Sequence, residues 1–482
     1  MVTQQTSRRD FLGLSALGLA AAVAPGDLLQ PAAAAGDLAD QNSRIGSEIS
    51  VWVTSGGQRF AVAPRATWGT AAPGPVADQL HLDPGTKFQE ILRFGGAFTD
   101  AACFTFNRLA PAAREQLFHE LFHPSEMGLS TGRICVGSSD YSTKLYSYDD
   151  GEADPDLTRF SVEHDREYIL PMLRAARKAN PDLFLFSTPW SPPGWMKFNG
   201  SMLGGSMRKF YLPVYAKYYL KFLQAYAAEG VSIQALTSQN ELDTDQDGRM
   251  PACIWGQEYE IEFIRDHLGP LLESGQPTKI WILDHNYNLW GRVVDTLEDA
   301  KLRKYSTTVA WHGYAGTPDM MGKAHEAFPE AGMHWTEGGP DYTDPRYLTD
   351  WCKWGGIFSD VLTNWCSSIT SWNLALDEHG HPNIGPFPCG GVVTINSEDN
   401  EITRSGQYWT LAHYSRVIRR GARRFSSRSA AADMKHVALE NPDGQQVLVL
   451  TNPGAARVIE LQLANMAASV SLKADSVTTL AW

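Results

Sequence analysis

Between residues 90 and 376 the chain repeats one pattern: a short apolar run, a polar break, then a stretch with helical spacing. The runs are "EILRFGG", "GRICVGS", "LFLFSTPW", "IQALTSQNE", "KIWILDHN", "TTVAWHGY", "GMHWTEGG" and "SITSWNLAL", eight in all. Segments between them, such as "DREYILPMLRAARKAN" and "YLPVYAKYYLKFLQAYAAEG", repeat apolar residues at helical intervals. The runs do not alternate strictly, so each reads as a strand buried on both faces. Such strands separated by helices form a parallel sheet. Eight units predict an α/β fold, a (β/α)8 TIM barrel over residues 85–398.

Beyond residue 399 the texture changes. "HVALENPDGQQVLVLTNPG", "RVIELQLAN", "ASVSLKA" and "SVTTLAW" are short strands separated by turn residues such as Pro-Asp-Gly. They predict an all-β sandwich over 399–482. Ahead of the barrel, "SEISVWVTSGGQRFAVAP" in segment 45–84 alternates like a strand pair with no helix after it. Those strands are expected to join the sandwich. No internal repeat stands out.

Nearly every predicted barrel strand ends in residues able to do chemistry: Asp100, Trp190, Asn240 with Glu241, Asp284 with His285, His312, Glu337, and Trp372 with Asn373. A TIM barrel gathers its active site at the carboxyl ends of its strands.

Composition narrows the function classes. The 482 residues carry 41 Lys+Arg against 54 Asp+Glu, a formal charge of −13. The one short basic run, "VIRRGARR", is too isolated to track phosphates, which argues against a nucleic-acid partner. Fifteen Trp, 17 Tyr and 20 Phe supply ring faces on which sugars can stack, or simply a large core. Six cysteines show no C-x-x-C and no Cys/His metal spacing, and are expected to be mostly buried free thiols. The amino terminus, "SRRDFLGLSALGLAAAVA" followed by "PAAAAGD", combines Arg8 and Arg9, an apolar stretch and an A-x-A site. Residues 1–35 therefore read as an export signal of the twin-arginine type, removed from a bacterial periplasmic or extracellular protein. No later apolar run reaches the roughly 18 residues of a membrane span.

Cleaving a glycosidic bond needs two carboxyl groups flanking the anomeric carbon. On strand ends four and seven, Glu241 and Glu337 face each other across the barrel mouth. They can supply the roughly 5 to 5.5 Å carboxyl separation of a retaining mechanism. Asn240 can hydrogen-bond a sugar 2-hydroxyl. Two glycines after Glu337 leave room for a ring.

The motifs "RFGGAFTDAACF", "STPWSPPGWMK", "SQNE", "AWHGY", "HWTEGG" and "SWNLAL", in this order, resemble glycoside hydrolase family 30, which includes the glucosylceramidases. The resemblance implies a retaining β-glycosidase needing no cofactor and no metal. Glu241 would be the acid/base and Glu337 the nucleophile. Asp100, Trp190, Asn240, His312, Tyr314 and Trp372 would bind the sugar, and Asn373 beside Trp372 joins them. Asp100, after Gly-Gly, can accept from two adjacent hydroxyls, or can cap the helix opening "AACFTF". The double-displacement cycle asks for a raised pKa at Glu241 and an ionised Glu337.

Two departures bear on the leaving group. Leu242 stands where the family has Pro, and Gly313 where relatives often carry a larger residue. Both are expected to reshape the aglycone wall. The following loop, "DTDQDG", has the first half of an EF-hand, but Ile254 stands where the bidentate Glu belongs, so its acids are expected to form a polar rim. Glucosylceramidase-like hydrolysis of β-glucosides, including sphingolipid glucosides, is the leading expectation. An endo-β-1,6-glucanase, a β-xylosidase and an inactive carbohydrate-binding barrel are the alternatives. A metal-dependent hydrolase is disfavoured, because His285 and His312 show no obvious companion ligands in the sequence.

Overall fold

Two kinds of sheet organise residues 46–71, 78–275 and 277–482, the parts described by the computed structural model. The export segment expected over 1–35 lies outside them. The chain begins with β1 (Glu48–Ser55), β2 (Gln58–Thr67), β3 (Gly69–Thr70) and β4 (Gln79–Ile91). The eight barrel strands follow: β5 (Arg93–Phe98), β6 (Thr131–Cys135), β7 (Phe184–Thr188), β8 (Ala235–Thr237), β9 (Lys279–Asn286), β10 (Thr308–His312), β11 (Gly332–Glu337) and β12 (Ser368–Asn373). They close into a barrel, each strand parallel to both neighbours. All eight apolar runs become barrel strands. Their lack of alternation has the expected cause: every residue of β6 and β12 is buried.

The lumen is packed, not hollow. Trp281 of β9 stacks on His334 of β11 at 4.3 Å and on Phe184 of β7 at 5.9 Å, while Arg93 of β5 lies over Phe184. These strands are not neighbours in the sheet, so the rings meet across the interior as a layer built from alternate strands.

After the barrel come a small sheet of β13 (Ala375–Leu376), β14 (Val393–Ile395) and β15 (Ile402–Arg404), and the helix Gly406–Ser415. The sandwich strands β16 (Ala422–Ser429), β17 (Lys435–Glu440), β18 (Gln446–Asn452), β19 (Arg457–Leu463), β20 (Met466–Leu472) and β21 (Ser476–Ala481) complete the chain. Their ladder runs β2-β1-β21-β18-β17-β16-β4-β19-β20-β3, so both ends of the chain build one sandwich. It folds over a core that includes Ile49, Trp68, Leu80, Phe425, Leu448 and Leu461. β4 makes the corner: it pairs with β16 through two register shifts and with β19 at its start.

The division at 84/85 read from sequence falls inside β4, whose last residue, Ile91, still pairs with Ala422. The division at 398/399 precedes the helix Gly406–Ser415. This helix stays with the barrel, where Thr410 bonds the Trp351 carbonyl and Tyr414 meets Ser359. His413 of the same helix reaches the other way, to Thr54 of β1 (2.8 Å) and Thr479 of β21 (2.9 Å). All six cysteines are free, four of them buried. Among the described residues no helix is long and apolar enough to cross a membrane.

Candidate active site

The carboxyl ends of the barrel strands open into a cavity of about 530 Å³. Glu241, Glu337, Trp190, Asn240, Tyr314 and Trp372 all line it. Glu241 stands beyond the end of β8 with φ 47°, in the left-handed region, its N–H donating to the Asp284 carbonyl at 3.1 Å. A non-glycine residue there carries strain of about 1–3 kcal/mol, which persists only where surrounding contacts over-determine it. Asn240 is held by its own N–H to the Pro189 carbonyl at 2.9 Å.

Beneath the cavity lies a buried network of charges. Arg133, in the middle of β6 and fully buried, donates to Glu337 Oε2, to Asp284 Oδ2 at 2.8 Å and to Asn240 Oδ1 at 2.8 Å. Its guanidinium lies 4.7 Å from the Trp190 ring and 5.3 Å from the Trp372 ring, and these indoles stack at 5.1 Å. Asp284 also accepts from Thr188 (2.9 Å), Thr237 (2.8 Å) and Thr336 (2.8 Å). Burial alone would push the Asp284 carboxyl up. The positive charges of Arg133 and His312, with these hydrogen bonds, outweigh it and hold the group far below the usual range.

His312 lies behind the cavity wall, fully buried, and joins the carboxylates to one another. Its Nε2 is 3.0 Å from Asp284 Oδ1 and 3.8 Å from Glu337 Oε2, and its Nδ1 is 3.3 Å from Glu241 Oε1. Burial works against its charged form, but the Glu337 charge and the bonds to Asp284 and Glu241 raise its pKa to about 9. Glu241 therefore departs from the raised pKa expected of it. Burial pushes its carboxyl up, but the hydrogen bond and charge of His312, the nearby His285 and the Gln246 amide at 2.8 Å bring it below its ordinary value. The imidazole, flanked by carboxylates, is the group whose charged form these surroundings favour. Glu337 accepts from Arg133 on one oxygen and from the Tyr314 hydroxyl, at 2.9 Å, on the other.

Besides His312, two more predicted sugar contacts lie away from the cavity, Asp100 and Asn373. Asp100 is buried at the first turn of the helix Asp100–Arg108, where Thr99 serves as N-cap. Its carboxylate accepts from the Thr143 N–H (2.6 Å) and the Tyr168 hydroxyl (2.8 Å) and faces His164 Nε2 (2.6 Å), so it ties a loop to a helix. Asn373 is buried behind Trp372 and accepts from Thr99 at 2.8 Å. Two cavity-lining carboxyls were missed from sequence, Asp341 and Asp140, the latter past the end of β6 in "GSSDYS". Asp140 is the more enclosed. It is buried, its Oδ1 has no hydrogen-bond partner, and burial with the charges of Glu337 and Glu241 pushes its pKa well up. Arg133 was also missed, and Asp284 was named only as a polar strand end, with no role given to it. The available signal was a charged residue inside an otherwise apolar barrel strand.

The aglycone wall also differs from expectation. Leu242 is fully buried in the apolar core, and a Cβ on Gly313 would come within 2.7 Å of the Trp335 ring, so neither reaches the cavity. The acidic loop does: Asp243, Thr244 and Gln246 line it. Its acids take separate partners, Asp243 with His285, Asp245 capping the Asp247 N–H, and Asp247 with Arg249 at 3.5 Å.

Facing carboxylates over a pocket walled by stacked indoles, at the catalytic end of a TIM barrel, define a hydrolase of glycosidic bonds. The sequence places it more narrowly. The TIM-barrel domain of glycosyl hydrolase family 30 matches residues 91–418 and that family's beta sandwich domain matches 421–480. The chain belongs to glycosyl hydrolase family 30. It is 31% identical to an endo-1,6-beta-D-glucanase of Neurospora crassa over 80% of this chain and 84% of the relative. It is 30% identical to the lysosomal acid glucosylceramidase of Mus musculus over 77% of each. Among solved structures, SrfJ from Salmonella typhimurium superposes with a TM-score of 0.85 at 25% identity, covering 90% of this chain and 99% of that one. The endo-beta1,6-glucanase BT3312 gives 0.81 at 27%, with the same coverage.

Proposed function

We propose that the chain hydrolyses β-glucosides by double displacement, with Glu337 as nucleophile and Glu241 as acid/base. The supporting observation is the division of labour around one imidazole. Glu337 is oriented by two donors, Arg133 and Tyr314, while Glu241 Oε1 lies 3.3 Å from His312 Nδ1. In the first step Glu337 attacks the anomeric carbon, and the bond to the leaving oxygen breaks as Glu241 delivers a proton to it. In the second, Glu241 takes a proton from water, whose oxygen displaces Glu337 and frees the sugar with its configuration retained. The charge of His312 favours ionised Glu241 in the second step, and a sugar that excludes water from the cavity favours the neutral acid needed in the first. Asn240, Trp190, Trp372 and Asp140 hold the ring. The partner is a β-glycoside, either a glycolipid or an oligosaccharide.

Glucosylceramide-type substrates, and with them a place in sphingolipid metabolism, are the first reading. Endo-β-1,6-glucanase action is the second, favoured by the Neurospora relative and the BT3312 structure. The first 35 residues are proposed as a twin-arginine signal removed on export. Parallel turnover of glucosylceramide, 1,6-linked glucan, an aryl β-glucoside and an aryl β-xyloside separates the specificities. Glu337→Gln is expected to lower kcat on the aryl β-glucoside by at least about 10³-fold. Normal turnover by that variant, or first release of the α-anomer by the wild type, would refute the mechanism. A wild type that binds these glycosides without cleaving any is the outcome of an inactive binding barrel.

A further inference from the structure

We propose that Glu241, His285 and His312 form a three-ligand site for a divalent transition-metal ion of the zinc type, whose binding withdraws Glu241 from catalysis. One ligand atom from each of the three lies within 4.8 Å of the others. Glu241 Oε1 is 3.3 Å from His312 Nδ1 and 3.8 Å from His285 Nδ1. A tetrahedral ion with bonds near 2.0–2.2 Å needs ligand atoms roughly 3.4 Å apart, so small side-chain shifts suffice.

The rings are already oriented for this. In each histidine the second nitrogen, Nε2, faces a carboxylate: Asp243 for His285 and Asp284 for His312. Carboxylates in that position fix the tautomer of a metal-bound imidazole and keep Nδ1 aimed at the ion. His285 Nδ1 is buried without a hydrogen-bond partner, although His285 is only 5% exposed. A buried polar atom left unpaired calls for an explanation, and an ion supplies one. Glu241 keeps Oε1 for the metal, because Gln246 occupies Oε2.

The ligand set also selects the ion. Two imidazoles and one carboxylate suit Zn²⁺, Cu²⁺ or Ni²⁺ and disfavour Ca²⁺ and Mg²⁺, which prefer all-oxygen shells. Glu241 and His285 both line the cavity, so an ion enters from its mouth and keeps a coordination position open to water or a sugar hydroxyl. An ion and a proton compete for the space between His312 Nδ1 and Glu241 Oε1, because a ligating imidazole nitrogen carries no proton. With its Oε1 on the ion, Glu241 no longer delivers a proton to a leaving group. That inhibition rests on the proposed role of Glu241, whereas the binding does not.

The test is calorimetric titration of metal-free full-length protein with zinc chloride alone, repeated on two variants. The wild type is expected to bind one ion per chain, losing activity in parallel and regaining it with a chelator. Asp243→Asn, at a rim residue whose side chain is 44% exposed, keeps the fold and removes the anionic partner of His285. It is expected to weaken zinc binding about 10–100-fold, and His285→Ala further. No zinc binding by the wild type, or affinities of folded variants within about threefold of it, would overturn the site, since outer-shell loss at a real site costs more. If Glu337→Gln kept its turnover, the glycosidase reading would fall while the calorimetric result would stand independently.

Discussion

Arg133→Met takes one positive charge out of the barrel and leaves the rest of the side chain's volume nearly filled. Arg133 is fully buried, as is the Asp284 side chain, and the Glu337 side chain is 8% exposed. The two carboxylates share this cation, and water cannot reach Asp284 to replace it. Removing one partner of a buried ion pair costs roughly 3–5 kcal/mol, and here His312 alone remains to offset two buried carboxylates. Against a total stability of about 5–15 kcal/mol this is a large fraction. Guanidinium unfolding followed by tryptophan fluorescence reads it directly, since Trp190 and Trp372 flank the guanidinium. Adding Asp284→Asn in the Arg133→Met background removes the stranded charge and is expected to recover about 1–3 kcal/mol. Activity gives a second readout. Without its Arg133 donor Glu337 is oriented by Tyr314 alone, and displacement of about 1 Å lowers kcat/KM by about 100-fold. A variant that unfolds within about 1 kcal/mol of the wild type would refute the buried-charge reasoning, because it would mean that His312 and the hydrogen bonds suffice without Arg133.

Tyr314→Phe removes the hydroxyl that donates to Glu337 Oε1, and kcat/KM on an aryl β-glucoside is expected to fall about tenfold, the worth of one charged hydrogen bond. Asp140→Ala removes a buried carboxyl with a free oxygen at the cavity wall; a loss of about 10–100-fold in kcat/KM is expected, and no loss would exclude sugar contact. Asp165, buried beneath Tyr146, Tyr148 and Tyr226, is expected to contribute to pH-dependent stability. Burial raises its pKa to about 6 against the phenol hydrogen bonds, from 3.8. The folded state therefore keeps a proton the unfolded chain releases, a contribution present below about pH 4 and lost by about pH 6. Its size is roughly 3 kcal/mol. Unfolding midpoints from pH 4 to 7 are expected to fall more steeply in the wild type than in Asp165→Asn, and parallel curves would refute the assignment.

The parts of this molecule legible in its sequence are those set by local periodicity. Each barrel strand is an unbroken apolar run, so burial on both faces writes itself into consecutive residues. Glu241 and Glu337 follow from their places at strand ends. What escaped depends on contacts between distant segments. Asp100 and Asp140 both stand near barrel strand ends. Only packing shows that the first is occupied by Thr143, His164 and Tyr168 while the second faces the cavity. Arg133 looked like an incidental cation in an apolar strand, because its partners lie at Asn240, Asp284 and Glu337. Leu242 and Gly313 were expected to shape the leaving-group side. Their backbone positions border it, but Leu242 points into the core and Gly313 packs on Trp335. The companions that His285 and His312 lacked in the sequence likewise exist only in three dimensions, where Glu241 stands between them.

The seam between β1 and β21, pinned by His413 through Thr54 and Thr479, has a consequence in time. β1, made before the whole barrel, waits with one edge unpaired until β21, made after the barrel, is available. A chain stopped short of β21 would leave β1 and β18 with open edges, the kind that recruit other chains into aggregates. Pairing of β1 with β21 therefore couples the folding of the sandwich to the synthesis of the strands that follow the barrel.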